Sequence, residues 1–146
     1  MVKTDMSLEV LIEFLKAVDH EFSPKLSEQV EISDYAARLI NQAILVNKKD
    51  ENGRIKGLVV IYVNEPNNPH AYIPLVAVRQ EFRKMGLAKS LVQEAIQFAK
   101  ESGKTAVDIH TNNPIAYKMY RNLGFEDVIG GENRAGHPRL SFKIEQ

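Results

Sequence analysis

The spacing of apolar positions near the N-terminus predicts two helices. Apolar side chains recur every three or four positions over residues 8–22, and Ser7 precedes them as a helix cap. Pro24 then ends this first helix. Ser33 and Asp34 open a second helix, whose apolar face is formed by Tyr35, Leu39 and Ile40. Both helices are therefore predicted to bury one face against a core.

Strand patterns follow these helices. Three strands are predicted in succession, at residues 43–48, 55–63 and 71–78. Turn-forming residues fill the two connections between them. Pro74 lies inside the third strand, and proline has no N–H to donate to a sheet. We therefore expect this strand to be bulged or partly unpaired at Pro74.

Helices and strands alternate over the rest of the chain. A long amphipathic helix starts near Leu87 and stops before Gly103, and a second helix starts at Asn113-Pro114 and stops at Gly124. Strands are predicted at residues 106–110, 125–129 and 139–144. This order predicts an α/β (α+β) fold with a mixed, mostly antiparallel central sheet flanked by helices. A single domain over residues 1–146 is expected, because no linker divides the chain.

Composition excludes several classes of protein. Lys plus Arg and Asp plus Glu both number 19, so the net charge gives no reason to expect a nucleic acid or a membrane as partner. The chain has no cysteine, which excludes a disulfide framework and a cysteine nucleophile. The four histidines show no metal-ligand spacing, so no metal is expected. The N-terminal residues do not resemble a signal peptide, and a cytoplasmic protein is expected.

The segment between the third strand and the long helix has the features of a phosphate site. A helix N-terminus offers unpaired N–H groups, and Gly86 and Ala88 let a pyrophosphate approach the backbone. Arg83, Lys84 and Lys89 add positive charge. An ordinary strand-to-helix turn with solvated basic residues explains the same pattern. A P-loop and a dinucleotide fingerprint are both excluded, because they need glycines that this segment lacks.

Two motifs resemble those of the GNAT family of N-acetyltransferases. Arg83, Gly86 and Ala88 match the family's acyl-coenzyme A signature, although Lys84 stands where many members have glycine. The segment from Asn113 to Phe125 matches the family's later motif, with Ala116, Tyr120 and Leu-Gly-Phe in their expected places. The resemblance is clear over residues 55–125 and vague before them. The family's usual first strand is missing or reduced to Val2–Thr4.

The resemblance implies the GNAT acyl-CoA acyltransferase fold and an acetyl-CoA-dependent N-acetyltransferase that needs no metal. An amine would attack the thioester directly through a tetrahedral intermediate. The Val78 N–H would polarise the thioester carbonyl, and Tyr120 would protonate the departing thiolate. The residues implied in coenzyme binding are Val76, Val78, Arg83, Lys84, Met85, Gly86, Leu87, Ala88, Lys89, Asn113, Ala116 and Tyr120. Asn113 would bond the pantetheine arm, and it also suits a helix cap.

The general base and the acceptor stay open. His110 is a candidate base and shares a strand face with Asp108, while His70 and Glu65 are alternatives and ordered water is another. We expect a small-molecule amine acceptor, with an amino sugar favoured. The chain's acidic residues between Asp19 and Asp34 would suit a cationic amine or simply be solvated. A protein N-terminus or lysine as acceptor, a non-catalytic acyl-CoA-binding module and a homodimer are further alternatives.

Overall fold

The computed structural model describes residues 6–145, which form five helices and six strands joined by short turns. The helices are α1 (Leu8–Ala17), α2 (Leu26–Gln29), α3 (Ile32–Gln42), α4 (Leu87–Glu101) and α5 (Pro114–Leu123). The strands are β1 (Ile44–Lys49), β2 (Ile55–Tyr62), β3 (His70–Val78), β4 (Ala106–His110), β5 (Glu126–Val128) and β6 (Arg139–Lys143). Val2–Thr4, where at most a reduced first strand was expected, lies outside the described residues.

A single twisted sheet organises these elements. Its strand order is β1-β2-β3-β4-β6-β5, and every neighbouring pair is antiparallel except β3 with β4. The predicted fold class, a mixed and mostly antiparallel sheet flanked by helices, is therefore confirmed. None of the helices within residues 6–145 is long and apolar enough to cross a membrane.

The two faces of the sheet bury separate cores. On one face α1 and α3 pack Leu11, Phe14 and Leu39 against strand residues that include Leu58 and Leu75. On the other face α4 and α5 pack against the alternate strand residues, which include Val59, Ile73, Val107, Ile109 and Leu140. Burial of both faces explains why β2 is almost continuously apolar rather than alternating.

The predicted extent of the first helix is wrong. Helix α1 ends at Ala17, and a single 3-10 turn follows at Asp19–Glu21. The Asp19 carboxylate accepts hydrogen bonds from the Ser27 backbone N–H at 2.7 Å and from its hydroxyl at 2.6 Å. This contact folds the chain back into the short helix α2, which the apolar spacing did not predict.

The start of α3 is also displaced from the prediction. The helix begins at Ile32, and its cap is Glu31, whose side chain accepts from the Asp34 N–H at 2.8 Å. The side chain of Glu31, which is long enough to reach forward to the N–H of residue 34, replaces the shorter cap that Ser33 suggested.

Candidate functional site

The sheet opens between its two parallel strands. Strands β3 and β4 are paired from His70–Ala106 to Ile73–Ile109 and no further. Beyond Ile73, strand β3 continues to Val78 paired only with β2. Backbone groups of residues 74–78 that face away from β2 are therefore free of a strand partner, and they can bond a ligand instead. We call this opening the fork.

Pro74 lies at the start of the fork. The register between β2 and β3 shifts between Val60 and Tyr62, which confirms the irregularity expected at this proline. Because proline has no N–H, pairing with β4 would have ended here in any case. The irregularity also exchanges the two faces of β3, so that Leu75 lies on the α1–α3 side and Ile73 on the α4 side.

The loop after β3 is anchored before it reaches the predicted phosphate-binding segment. Arg79 is only 6% exposed and donates to the Ile55 carbonyl at 3.1 Å. Its guanidinium also holds both carboxylate oxygens of Glu13 on α1, at 2.6 and 3.0 Å. The Arg79 hydrogen bonds lower the pKa of Glu13, so this pair stays charged near neutral pH. These contacts therefore hold the first residue of the loop, Arg79, in place.

The segment that follows turns sharply into α4. Lys84 and Gly86 both have left-handed backbone conformations, with φ of 67° and 73°. Helix α4 begins at Leu87 with no side-chain cap and no acidic residue in its first turn. Its first N–H groups are therefore available to an anion, and the helix dipole favours one. A Cβ on Gly86 would meet no atom within 4 Å, so open space lies above this glycine.

Arg83 joins this segment to two other parts of the chain. Its Nε donates to the Val78 carbonyl at 3.1 Å, and its Nη2 lies 2.6 Å from the Glu21 carboxylate. Arg83 is thus positioned beside the end of the fork, although an ion pair occupies its guanidinium. Met85 is largely exposed next to it.

Helix α5 follows the end of β4, which is the other strand of the fork. Asn113 caps it, since its Oδ1 accepts from the N–H groups of Ile115 at 2.9 Å and Ala116 at 3.2 Å. Gly124 ends the helix with a left-handed φ of 114°. The amide Nδ2 of Asn113 has no hydrogen-bond partner among residues 6–145, so a capping role and a ligand-binding role are compatible.

Tyr120 on α5 is buried, but its hydroxyl is unpaired. The residue is 3% exposed and packs against Phe125 with ring centroids 5.6 Å apart. Within the described chain the hydroxyl makes no hydrogen bond, and it is not fully sealed from solvent. Burial raises the pKa of Tyr120 well above its ordinary value. The hydroxyl therefore stays protonated at neutral pH and can donate a proton or a hydrogen bond.

The candidate bases on β3 and β4 all have partners. His110 contacts the Tyr72 hydroxyl through Nδ1 at 3.0 Å and the Gly131 carbonyl through Nε2 at 2.8 Å. His70 Nδ1 lies 2.8 Å from the Asp108 carboxylate. Glu65 lies in the exposed loop before β3, at the opposite end of that strand from the fork. The structure thus brings His110 to the fork and leaves Glu65 away from it.

The carboxylate of Asp108 is buried and has three hydrogen-bond partners. Besides His70, it accepts a hydrogen bond from Ser141 at 2.6 Å and from Arg139. Burial alone would raise its pKa, but the hydrogen bonds from Ser141, His70 and Arg139 outweigh burial and lower the pKa. Asp108 is therefore ionised and fully engaged, which suits a supporting role and not proton abstraction.

The acidic residues of the N-terminal helices mainly stabilise local structure. Asp19 bonds Ser27, Glu21 pairs with Arg83, and Glu31 caps α3. Glu28 accepts from the Lys25 N–H at 3.0 Å. Of these four carboxylates only Glu21 contacts an arginine, so the other three keep their negative charge while they accept from neutral N–H and O–H groups.

Comparison with known proteins agrees with this geometry. The profile of the Acetyltransferase (GNAT) family matches residues 11–125, a stretch that contains the fork, the loop before α4 and α5. The chain belongs to the GNAT acetyltransferase family. GNAT members are acyltransferases. The two motifs found in the sequence form the loop before α4 and helix α5, which follow the two strands of the fork.

Curated relatives match the chain over part of their length. GCN5-related N-acetyltransferase 4, chloroplastic, from Arabidopsis thaliana is 42% identical over 60 residues, which are 40% of this chain and 21% of that protein. The catalytic subunit NAA10 of the Arabidopsis thaliana N-terminal acetyltransferase A complex is 29% identical over 107 residues, which are 69% and 56%. The chain thus spans about a fifth to just over a half of the length of these two relatives.

Solved structures share the fold over nearly the whole chain. A GNAT acetyltransferase from Staphylococcus aureus Mu50 superposes with a TM-score of 0.77 at 16% identity, covering 99% of this chain and 98% of that one. The PaiA N-acetyltransferase of Thermoplasma acidophilum, solved in complex with coenzyme A, has a TM-score of 0.71 at 13% identity and covers 97% of each chain. At these identities the likeness concerns the fold alone.

The part of the chain that the structure describes contains no cluster of three or more His, Asp or Glu residues suited to hold a metal ion.

The residues that sequence reasoning missed are Tyr72 and Arg79. Alternation along β3 places Tyr72 on the same face as His70, which was a usable signal. The partner of Arg79 lies 66 residues away, so no local pattern could reveal it.

Proposed function

We propose that this chain is an N-acetyltransferase that moves an acetyl group from acetyl-CoA to a primary amine by direct attack through a tetrahedral intermediate. The observation that carries the proposal is the fork between β3 and β4 beside an uncapped helix start. A long, thin ligand with an anionic group fits this combination. Its thin arm can pair with strand backbone while its phosphates bond the first turn of α4.

The residues present suit acetyl-CoA along this path. The pyrophosphate would bond N–H groups of residues 83–89, where Lys84 and Lys89 add charge and Gly86 leaves open space. The pantetheine arm would follow the backbone of Val76 and Val78, with the free Nδ2 of Asn113 across the fork. Ala116 and Leu87 lie in the apolar cluster behind it.

When bound, acetyl-CoA would supply the activated thioester and a sulfur leaving group. Tyr120 would hold its proton until that sulfur carries negative charge, because burial keeps the hydroxyl protonated. The Val78 N–H, in the unpaired part of β3, is the proposed donor to the carbonyl oxygen. His110 at the fork is the proposed acceptor of the amine proton, through the contacts described above.

The proposed acceptor is a small-molecule amine. NAA10 by its name acts on protein N-termini, so peptides belong in the test as well. The experiment incubates the protein with acetyl-CoA and separate pools of amino sugars, polyamines, amino acids, aminoglycosides and peptides, and measures free thiol and acetylated product together. The proposal expects both products in equal amounts for one class. Thiol release without acetylated amine, or no release for any pool, would contradict it.

A further inference from the structure

Tyr72 and His110 form a hydrogen-bonded pair at the point where β3 and β4 separate. The Tyr72 oxygen lies 3.0 Å from His110 Nδ1, and the rings meet edge to face with centroids 5.7 Å apart. The last paired residues of the two strands are Ile73 and Ile109, which are their direct neighbours in the chain. Both side chains are half-buried, so they reach the fork without being sealed from it.

The second contact of His110 fixes where its protons lie. Its Nε2 is 2.8 Å from the Gly131 carbonyl oxygen, and a carbonyl can only accept. Nε2 therefore carries the hydrogen, and in the neutral ring Nδ1 is an acceptor. Tyr72 must then donate its O–H to Nδ1. The lone pairs of the Tyr72 oxygen remain available, since no other described residue bonds it.

The pair lies across the sheet from Tyr120. Tyr120 packs in the core on the α4 side, together with Val107 and Ile109 of β4. Side chains alternate along a strand, so His110 points to the opposite face. A reacting centre held in the fork would thus have a protonated tyrosine on one side and the Tyr72–His110 pair on the other.

Building on the acetyl transfer proposed above, we propose that Tyr72 is a further catalytic residue, which takes a proton from the acceptor ammonium while passing its own proton to His110. The ammonium becomes a neutral amine, and His110 becomes an imidazolium with hydrogens on both nitrogens. The amine nitrogen then bonds the acyl carbon to give the tetrahedral intermediate. When this intermediate collapses, the carbon–sulfur bond breaks and sulfur takes the Tyr120 proton, while the second proton leaves nitrogen through solvent and restores the Tyr120 hydroxyl. The imidazolium returns its proton to water.

The electrostatics around the pair make both members necessary. Burial raises the pKa of Tyr72, so its hydroxyl is protonated at neutral pH. Tyr72 can therefore accept a proton from the amine only if it gives its own proton to His110. Arg139 opposes this effect and Asp108 adds to it, and these two residues form an ion pair with each other. The other charged or titratable groups in this region are His70 on β3, Tyr62 on β2, and Tyr35 and Arg38 on α3.

The kinetic test compares Tyr72→Phe and His110→Gln with the native protein, using the amine identified by product analysis. Proton transfer by a positioned side chain is typically worth about 10²–10⁴-fold, so kcat/KM for the amine should fall at least about 10²-fold at pH 7. The defect should shrink toward pH 10, where a lysine-like amine, with a pKa of about 10.4, increasingly arrives deprotonated. Acetyl-CoA affinity should not change, since neither residue contacts the loop before α4. A defect that is equal at every pH, or no defect, would overturn the relay.

A second measurement needs no turnover. Nitrogen NMR of His110 should show the hydrogen on Nε2, and finding it on Nδ1 would overturn the relay even if no acceptor were found. Gly131→Ala should disturb this state, because a Cβ at residue 131 would lie 2.8 Å from Arg139 Cδ and displace the carbonyl. Its kcat/KM should fall as in Tyr72→Phe, whereas Ile129→Ala, at a fully exposed neighbour, should be unaffected. A Tyr72→Phe variant that transfers acetyl groups at the native rate would leave the proposed function standing and remove the relay.

Discussion

Replacing Tyr120 by phenylalanine separates a catalytic hydroxyl from a core tyrosine. The substitution removes one oxygen and keeps the ring that packs against Phe125. Because the hydroxyl has no hydrogen-bond partner within residues 6–145, its loss should change the free energy of unfolding by less than about 1 kcal/mol. Acetyl-CoA affinity should also stay close to that of the native protein.

Turnover should respond far more strongly. General acid catalysis is worth about 10²–10⁴-fold, and a thiolate is already a fair leaving group, so kcat should fall about 10²-fold. That loss corresponds to about 2.7 kcal/mol in the activation free energy. The assay follows thiol release at saturating acetyl-CoA, with the melting temperature measured on the same preparation.

The matched control is Tyr117→Phe, one turn earlier on α5. Its hydroxyl is bonded to Asp127 at 2.8 Å, so this variant should lose some stability and keep its turnover. The opposite pattern for Tyr120→Phe, with lower stability and full activity, would show that Tyr120 is a packing residue and would refute its role as the acid.

The remaining predictions concern binding and stability. Gly86→Val should abolish acetyl-CoA binding, since its side chain fills the open space over the loop and the left-handed backbone adds about 1–2 kcal/mol of strain. The control variant Gly53→Val, at a similar φ of 83° in an open turn, should bind acetyl-CoA normally. Equal binding by both variants would contradict the phosphate site. Asn113→Asp should keep the helix cap and the melting temperature but weaken acetyl-CoA binding in calorimetry, because it replaces the free Nδ2 donor by a negatively charged oxygen; unchanged affinity would leave the residue a cap alone. Glu13→Gln should lower stability by about 1 kcal/mol at pH 7, a modest amount because Glu13 is 46% exposed. Because Arg79 lowers the pKa of Glu13, that contribution is present above the ordinary glutamate pKa and is lost as pH falls through the lowered value, so melting curves of the two proteins should converge in acid.

Local signals were sufficient for most of the fold. Helix α4, strand β4 and the irregularity at Pro74 follow from apolar spacing, from Gly103 and from the missing proline N–H. The cap at Asn113 and the stop at Gly124 were likewise readable, because capping depends on neighbouring residues in the chain. The C-terminal end of α1 could not be predicted, since the Asp19–Ser27 contact competes with helical spacing and has no periodic signature.

The candidate site was only partly predictable, for a different reason. The motifs marked the loop before α4 and the helix α5, but the partners of His110 depend on sheet order. Tyr72 is 38 residues from His110 and meets it only because β3 and β4 run parallel in one register. Gly131 approaches from the connection before β6, which lies beside β4. Such contacts require the three-dimensional arrangement, and no spacing along the chain encodes them.

The central claim is that acetyl-CoA lies in the fork with its phosphates at the start of α4. Backbone amide NMR shifts recorded while acetyl-CoA is added test it most directly, with ATP as the comparison ligand. The account predicts that acetyl-CoA produces its largest shifts at residues 76–78, 83–89 and 113–116, and that ATP produces weaker ones. Shifts concentrated elsewhere, no response at millimolar acetyl-CoA, or a stronger response to ATP would contradict it.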